Sequence, residues 1–208
     1  MADIFDEINE DIKRDQMQEI WARYGKYLIL CVSLIVLGVA ARQGYNAWQE
    51  RQAEAAATEY HTALSQEDVV TALTAKLGDL SPGYAMLAEF HIAAEHAAKK
   101  DFDAAEAAYL ALSVNSDIEP LYQQAAILLS VMNAPDNREV SALSLRLAVI
   151  EGVAGPWQAL ALEQAAGLAL RAGDRATALA KYETLAGLND IPVGMRQRAS
   201  QMVRILKG

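Results

Sequence analysis

The sequence predicts an all-α protein in which a single N-terminal transmembrane helix precedes a solenoid of helical hairpins. Three features predict this fold. An uncharged apolar run with aromatic residues on both sides lies near the N-terminus and suggests a membrane span. The rest of the chain consists of helix-forming stretches separated by short turns, and no stretch alternates in polarity long enough to form a strand.

Composition narrows the classes of function. The 208 residues carry a formal net charge of -9, whereas a phosphate-binding surface needs clustered Lys and Arg. Nucleic acid is therefore not an expected partner. The single cysteine, Cys31, lies within the apolar run, so neither an intramolecular disulfide nor a thiolate metal cluster is expected.

The apolar run covers residues 27–41 and is bounded by Lys26 and Arg42. This is short for a bilayer core of about 30 Å, which needs about 20 helical residues. Both flanking cations can snorkel, so the helix extends over roughly 21–48, with aromatic residues at both ends. The predicted membrane-spanning residues are Tyr27, Leu28, Ile29, Leu30, Cys31, Val32, Ser33, Leu34, Ile35, Val36, Leu37, Gly38, Val39, Ala40 and Ala41.

Two other interpretations of this run are a buried core helix and a cleaved signal peptide. A core helix is disfavoured because the residues from Leu28 to Leu37 leave no polar face. The sequence Val39-Ala40-Ala41 resembles a cleavage site. The region before the run, however, is long and carries seven acidic residues, whereas signal peptides prefer a short basic one. We therefore expect the helix to be retained.

The flanking charges predict the orientation. Four cations precede the span and two follow it within a comparable distance, which places the N-terminus in the cytoplasm and the large domain on the far side. The cations are Lys13, Arg14, Arg23 and Lys26 before the span, and Arg42 and Arg51 after it. We thus divide the chain into a cytoplasmic tail (1–20), an anchor with its flanks (21–48) and an exported domain (49–208).

The tail has apolar residues at helical spacing with acids between them. This pattern is typical of an amphipathic segment at a membrane interface, and it also suits a docking helix for a partner. The sequence leaves both possibilities open. The apolar residues are Ile4, Phe5, Ile8, Ile12 and Ile20.

After the span, one long helix is predicted to continue to Leu64, and eight shorter helices follow it. The shorter helices are predicted at 67–76, 84–99, 103–113, 120–132, 138–150, 157–172, 176–185 and 193–206. The last is expected to cap the stack. Its cations lack neighbouring acids, so they form either a basic end or a solvated face favoured by the helix C-terminus.

A helical motif recurs in two copies 73 residues apart. Both copies match the pattern of a small residue, an aromatic and a leucine in the second helix of a tetratricopeptide repeat. The small residue admits a neighbouring helix, and the aromatic fills the gap between repeats. The predicted packing residues are Ala105, Tyr109 and Leu112, and Ala178, Tyr182 and Leu185. Midway, Ala142 would place Arg146 at the aromatic position, which predicts a degenerate middle repeat.

No catalytic, cofactor-binding or metal-binding residue is predicted. His91 and His96 are five positions apart, so they do not share a helix face as a metal pair would. Asp101 and Asp103 flank a turn, where capping is the expected role. The sequence has no Gly-rich phosphate loop and no nucleophile elbow.

Over nearly its full length the chain resembles the ancillary SecYEG translocon subunit family (YfgM-like), with a tetratricopeptide-like domain that a cell-division coordinator also shares. The C-terminal third carries the resemblance most strongly. Its matching residues are Gly155, Pro156, Trp157, Glu163, Gly167, Leu170, Gly173, Asp174, Ala178, Tyr182, Leu185, Pro192, Arg196, Arg198 and Ala199.

The resemblance implies a bacterial inner-membrane protein with a periplasmic domain and no catalytic residues. It implies association with Sec translocon subunits, periplasmic chaperones and exported polypeptides. The expected function is therefore that of a membrane-anchored adaptor or chaperone-like subunit. The alternatives are a structural scaffold of an envelope or cell-division complex and, less favoured because motifs are missing, an enzyme or small-ligand receptor.

Overall fold

The computed structural model describes the backbone of residues 3–208 and the side chains of residues 21, 23, 25–27, 29–31 and 33–208. Within these residues every regular element is an α-helix, so the all-α prediction is confirmed. The helices are α1 (Asp3–Leu64), α2 (Val69–Lys76), α3 (Pro82–Ala98), α4 (Phe102–Val114), α5 (Pro120–Met132), α6 (Val140–Glu151), α7 (Gln158–Arg171), α8 (Arg175–Gly187) and α9 (Val193–Lys207). The eight shorter helices agree with the predicted bounds to within two residues.

The chain separates into two compact units, Met1–Ala55 and Ala56–Gly208. Among the described residues, one helical stretch, Gly25–Leu64, has the length and composition of a membrane span, and none of its most apolar window is buried. The apolar side chains predicted to form an amphipathic tail lie outside the described residues. The division at residues 20 and 48 stays a prediction.

The second unit is a stack of helices in chain order, in which each helix from α2 to α9 packs against the next. Four clusters of buried side chains form its core. The first joins the end of α1 to α2 and α3, and the others lie among α3–α5, α5–α7 and α7–α9. No single hairpin buries its apolar face alone, which is the packing expected of a helical repeat.

The turns before α4 and α8 are built alike. Asp101 and Asp174 each cap the following helix by accepting a hydrogen bond from the backbone N–H three residues later. The residue before each aspartate has positive φ, 63° at Lys100 and 76° at Gly173. Glycine adopts this conformation without steric cost, whereas lysine pays a penalty for it. The same turn therefore recurs 73 positions later with the better-suited residue.

The middle hairpin departs from the spacing of the two motifs. Leu147 and Ile150 on α6 are fully buried, whereas Val149 is 61% exposed. The buried row therefore lies one residue beyond the spacing set by Ala142, a rotation of about 100° about the helix axis. That spacing would have placed Arg146 in the apolar gap between repeats, where a charge is costly. The observed rotation buries Leu147 there instead.

This register makes neighbouring positions on α6 respond differently. Replacing Ile150→Ala should lower the free energy of unfolding by about 2–4 kcal/mol, because it opens a cavity in the α5–α7 cluster. Val149→Ala should change it by less than about 0.5 kcal/mol. Urea unfolding of the full-length protein in detergent, followed by far-UV circular dichroism, measures both. A larger loss of stability for Val149→Ala than for Ile150→Ala would contradict this register of α6.

Candidate interaction surface

The predicted membrane-spanning residues form an exposed apolar helix surface. Every described side chain among them is exposed, including Leu34 and Leu37. The side chains of Leu28 and Val32 lie outside the described set. An exposed apolar helix surface is the kind that a bilayer covers.

The six predicted packing residues are all buried. Tyr109 lies in the α3–α5 cluster, where its ring centroid is 6.2 Å from that of Phe90. Tyr182 lies in the α7–α9 cluster. Burial raises the pKa of both tyrosine hydroxyls. Their neighbours Leu112 and Leu185 lie in the same two clusters, and Ala105 and Ala178 are fully buried on α4 and α8.

Five residues recur at equivalent places in the two clusters. Each joins an alanine of the preceding helix, the tyrosine and leucine of the motif, an isoleucine of the loop and an alanine of the following helix. The equivalent pairs are Ala93 and Ala166, Tyr109 and Tyr182, Leu112 and Leu185, Ile118 and Ile191, and Ala126 and Ala199. Every pair is 73 positions apart, so the unit that repeats in this domain is a pair of hairpins.

A buried carboxylate joins α4 to α6. The side chain of Glu106 is only 3% exposed. Its Oε1 accepts a 2.6 Å bond from Nη1 of Arg146, and its Oε2 accepts a 2.8 Å bond from Nε of Arg138. Arg138 also donates to Asp103 at 3.0 Å. Arg146, placed by sequence at a degenerate packing position, is thus part of an ionic link between successive hairpins.

We expect this link to stabilise the stack. Replacing Glu106→Gln keeps the shape of the side chain but leaves two arginines without their carboxylate. The free energy of unfolding should fall by about 2–3 kcal/mol. This is less than is usual for a broken buried ion pair, because both arginines are partly exposed.

Urea unfolding of the full-length protein measures this effect. The matched control is Glu183→Gln, which breaks the exposed ion pair between Lys207 and Glu183 and should cost less than about 1 kcal/mol. Equal effects of the two substitutions would contradict a structural role for the buried carboxylate.

Three of the four cations of α9 are held by contacts with the rest of the stack, and the fourth, Arg204, is exposed. Arg198 pairs with Glu163 of α7 through two bonds of 3.0 and 3.1 Å. Arg196 donates to backbone carbonyls of the α8–α9 loop at 2.9 and 2.7 Å. Lys207 pairs with Glu183. These contacts fasten α9 to the stack, and the exposed polar residues on its other side suit a capping helix.

A cleft of about 680 Å³ lies between the first turns of α7 and α9 and is called here the α7–α9 cleft. Its walls are mostly apolar and come from the α6–α7 loop, the start of α7, the α8–α9 loop and the start of α9. The lining residues include Ala159, Leu160, Asn189, Asp190, Ile191 and Met195. This size and composition are typical of ligand-binding clefts.

A second exposed apolar feature lies on α6. Leu145, Val149 and Val153 recur every four residues, so they form one row along the outer side of the helix and its following turn. Leu145 is 74% exposed. The equivalent side of α8 carries polar and small residues instead. The row is therefore specific to the middle hairpin.

His91 and His96 each lie beside one carboxylate. His91 is 3.6 Å from Glu95, and His96 is 3.7 Å from Asp101. In the part of the chain that the structure describes, no three His, Cys, Asp or Glu side chains are grouped to hold a metal ion.

Two helix caps predict how stability depends on pH. Asp68 and Asp174 each accept a 2.6 Å bond from a threonine hydroxyl and a second bond from the backbone N–H of that threonine. These bonds, the hydroxyl's first, lower the pKa of both carboxyls below the ordinary value. Because the folded-state pKa is lowered, the stabilisation is complete above the unfolded-state pKa of about 4 and is lost as pH falls through the folded-state value.

The double variant Asp68→Asn/Asp174→Asn should therefore lose less stability than the parent when the pH falls from about 5 to about 2. Asparagine keeps a neutral capping acceptor, so the fold should persist. Urea unfolding across this range measures the slope of the free energy of unfolding against pH. Asp136→Asn, in the exposed α5–α6 loop, is the control and should leave the slope unchanged. Parallel slopes for the double variant and the parent would contradict the assignment.

Stacked hairpins with an apolar cleft and interlocking ion pairs define a helical-repeat protein. A family described as "Tetratricopeptide repeat-like domain" matches residues 18–202, and the chain belongs to that family. No curated protein and no solved structure matches the chain. Domains of this kind are generally protein-interaction modules, so the fold indicates protein partners.

Proposed function

We propose that this protein is a membrane-anchored periplasmic adaptor, a chaperone-like subunit that associates with the Sec translocon and assists exported polypeptides. One observation carries the proposal. The helix α1 contains an exposed apolar stretch suited to a membrane. Its last residues pack against α2 and α3 of the interaction domain. A domain tethered in this way meets polypeptides at the membrane surface, where a high local concentration favours weak contacts.

The charge distribution supports the proposed orientation. The cations before the span outnumber those after it, which favours a cytoplasmic N-terminus and a periplasmic domain. The resemblance to the translocon-subunit family favours the same compartment and partners.

Two exposed apolar features of the domain support contact with polypeptides. The α7–α9 cleft is large enough for a side chain and its flanking backbone. The exposed row of Leu145, Val149 and Val153, called here the α6 row, offers further apolar area. No charged residue other than Asp190 lines the cleft. Such surfaces suit the apolar segments that an exported chain displays before it folds.

Site-specific photo-crosslinking in intact cells tests the proposal. Asn189 in the cleft and Leu145 in the α6 row are each replaced by a photo-reactive amino acid in the full-length protein. We expect adducts with translocon subunits and with chains still being exported. The matched control is Gln201, on the exposed polar side of α9, where such adducts should be about tenfold fewer.

The other outcomes are informative. Adducts with a single envelope or division protein and no exported chains would favour the scaffold function. Adducts restricted to proteins unrelated to export would contradict both functions.

A further inference from the structure

A second, smaller cleft lies between α2 and α4 and is called here the α2–α4 cleft. It has a volume of about 300 Å³ and is lined by residues of α2, α3 and α4. Its apolar walls include Leu77, Ile92 and Leu112. Glu89 of α3 is the one charged residue among those that line it. A single carboxylate therefore stands in a mostly apolar recess.

The carboxylate of Glu89 has no partner within the domain. Its side chain is partly buried, and it makes no hydrogen bond or ion pair with any residue that the structure describes. Burial raises the pKa of this carboxyl, and no neighbouring cation opposes the shift. A carboxylate held partly away from water without a partner is unfavourable, so the cleft favours a ligand that carries a positive charge.

The cations of the surrounding helices face other acids. Lys76 of α2 lies 3.8 Å from Glu59, and the two histidines of α3 lie beside acids of their own. Lys99, at the end of α3, acts on the carboxyl of Asp68. The helix α4 contains no Lys, Arg or His. None of these three helices therefore supplies a cation to Glu89.

The second copy of the hairpin pair shows what occupies the equivalent place. The residues 73 positions after Glu89 and Ala108 are Leu162 and Lys181. Leu162 is buried, and the ammonium of Lys181 on α8 binds the carboxylate of Glu151 at the end of α6. A lysine side chain thus crosses from α8 to α6 in the second copy, whereas Ala108 leaves the corresponding space between α4 and α2 open.

Lysine also suits the walls of the α2–α4 cleft. Its ammonium stands on a four-carbon stem, which packs on apolar surface while the charge pairs elsewhere. The walls would cover the stem, and Glu89 would receive the ammonium. The formal net charge of -9 further attracts basic segments.

We propose that the α2–α4 cleft binds a lysine side chain of a partner polypeptide, whose ammonium pairs with Glu89 and whose stem packs on Leu77, Ile92 and Leu112. The inference rests on the proposed function only in that the ligand is a polypeptide. The partner supplies from outside the lysine that Lys181 supplies within the second copy.

Photo-crosslinking of a peptide to the full-length protein in nanodiscs of zwitterionic lipid tests this inference. Thr74, exposed at the edge of the cleft, is replaced by a small diazirine amino acid. The probe is a Gly/Ser-rich peptide with blocked ends and one lysine, and its matched control carries acetyl-lysine. At about 0.1 mM peptide, below an expected Kd on the order of 1 mM, the yield follows affinity. Mass spectrometry should show at least about fivefold more adduct with lysine than with acetyl-lysine.

Two pairs of variants locate the site. Glu89→Gln should bring the lysine and acetyl-lysine yields to within about twofold of each other, whereas Glu67→Gln, in the exposed α1–α2 loop, should keep the excess. Ala108→Lys fills the cleft with a lysine of the chain itself and should lower the lysine-peptide yield at least about fivefold. Its control is Ala107→Lys, at an exposed position of the same helix, which should label as the parent does.

Equal labelling by the two peptides, or an unchanged lysine excess in a folded Glu89→Gln variant, would overturn the inference. If Glu89→Gln does not fold, the second pair decides, and equal labelling of Ala108→Lys and Ala107→Lys overturns it. Loss of the lysine excess with translocon adducts intact removes this inference alone. A lysine excess without such adducts removes the proposed function alone.

Discussion

Close approach of helices at buried alanines is the constraint on which the stack depends. Eight alanines are fully buried in the part of the stack that the structure describes. They are Ala88, Ala93, Ala105 and Ala126 in one pair of hairpins and Ala161, Ala166, Ala178 and Ala199 in the other. A larger side chain at these positions would separate the helix axes, because interiors are close-packed and offer no spare volume. Tyr109 and Tyr182 then fill the gaps that this close approach leaves between repeats.

The middle hairpin solves the same problem differently. Its buried row consists of Leu143, Leu147 and Ile150, and the small residues come from the facing helix as Ala161 and Ala165. The charge of Arg146 is then directed toward Glu106 of the preceding hairpin. An aliphatic contact and an ionic link together replace the alanine and the tyrosine used on either side.

Sequence reasoning recovered the features that depend on local pattern. Helix bounds followed from punctuation by Pro, Gly and capping residues, and the Ala105 and Ala178 motifs, later found buried, followed from spacing alone. The register of α6 was missed because Ala142 fits the repeat spacing, whereas burial depends on which face the neighbouring helices leave apolar. The sequence did carry a signal for the partner of Arg146, because Glu106 stands among alanines on a helix face that is otherwise apolar.

The α7–α9 cleft was also beyond sequence reasoning, for a different reason. A cleft is defined by side chains that are missing, and Ala159 is informative only once its equivalence to Met86 is known. That equivalence requires the 73-residue spacing of the two motifs to be extended to the helices that precede them.

The functional account joins this stack to a membrane, since an interaction domain acts at the surface to which its anchor holds it. Protease treatment of intact spheroplasts that carry the full-length protein with a different tag at each end tests this claim most directly. The account predicts that the C-terminal tag is lost, while the N-terminal tag stays protected on a fragment that remains in the membrane after carbonate extraction. Protection of the C-terminal tag, or a protein that carbonate removes from the membrane, would contradict it.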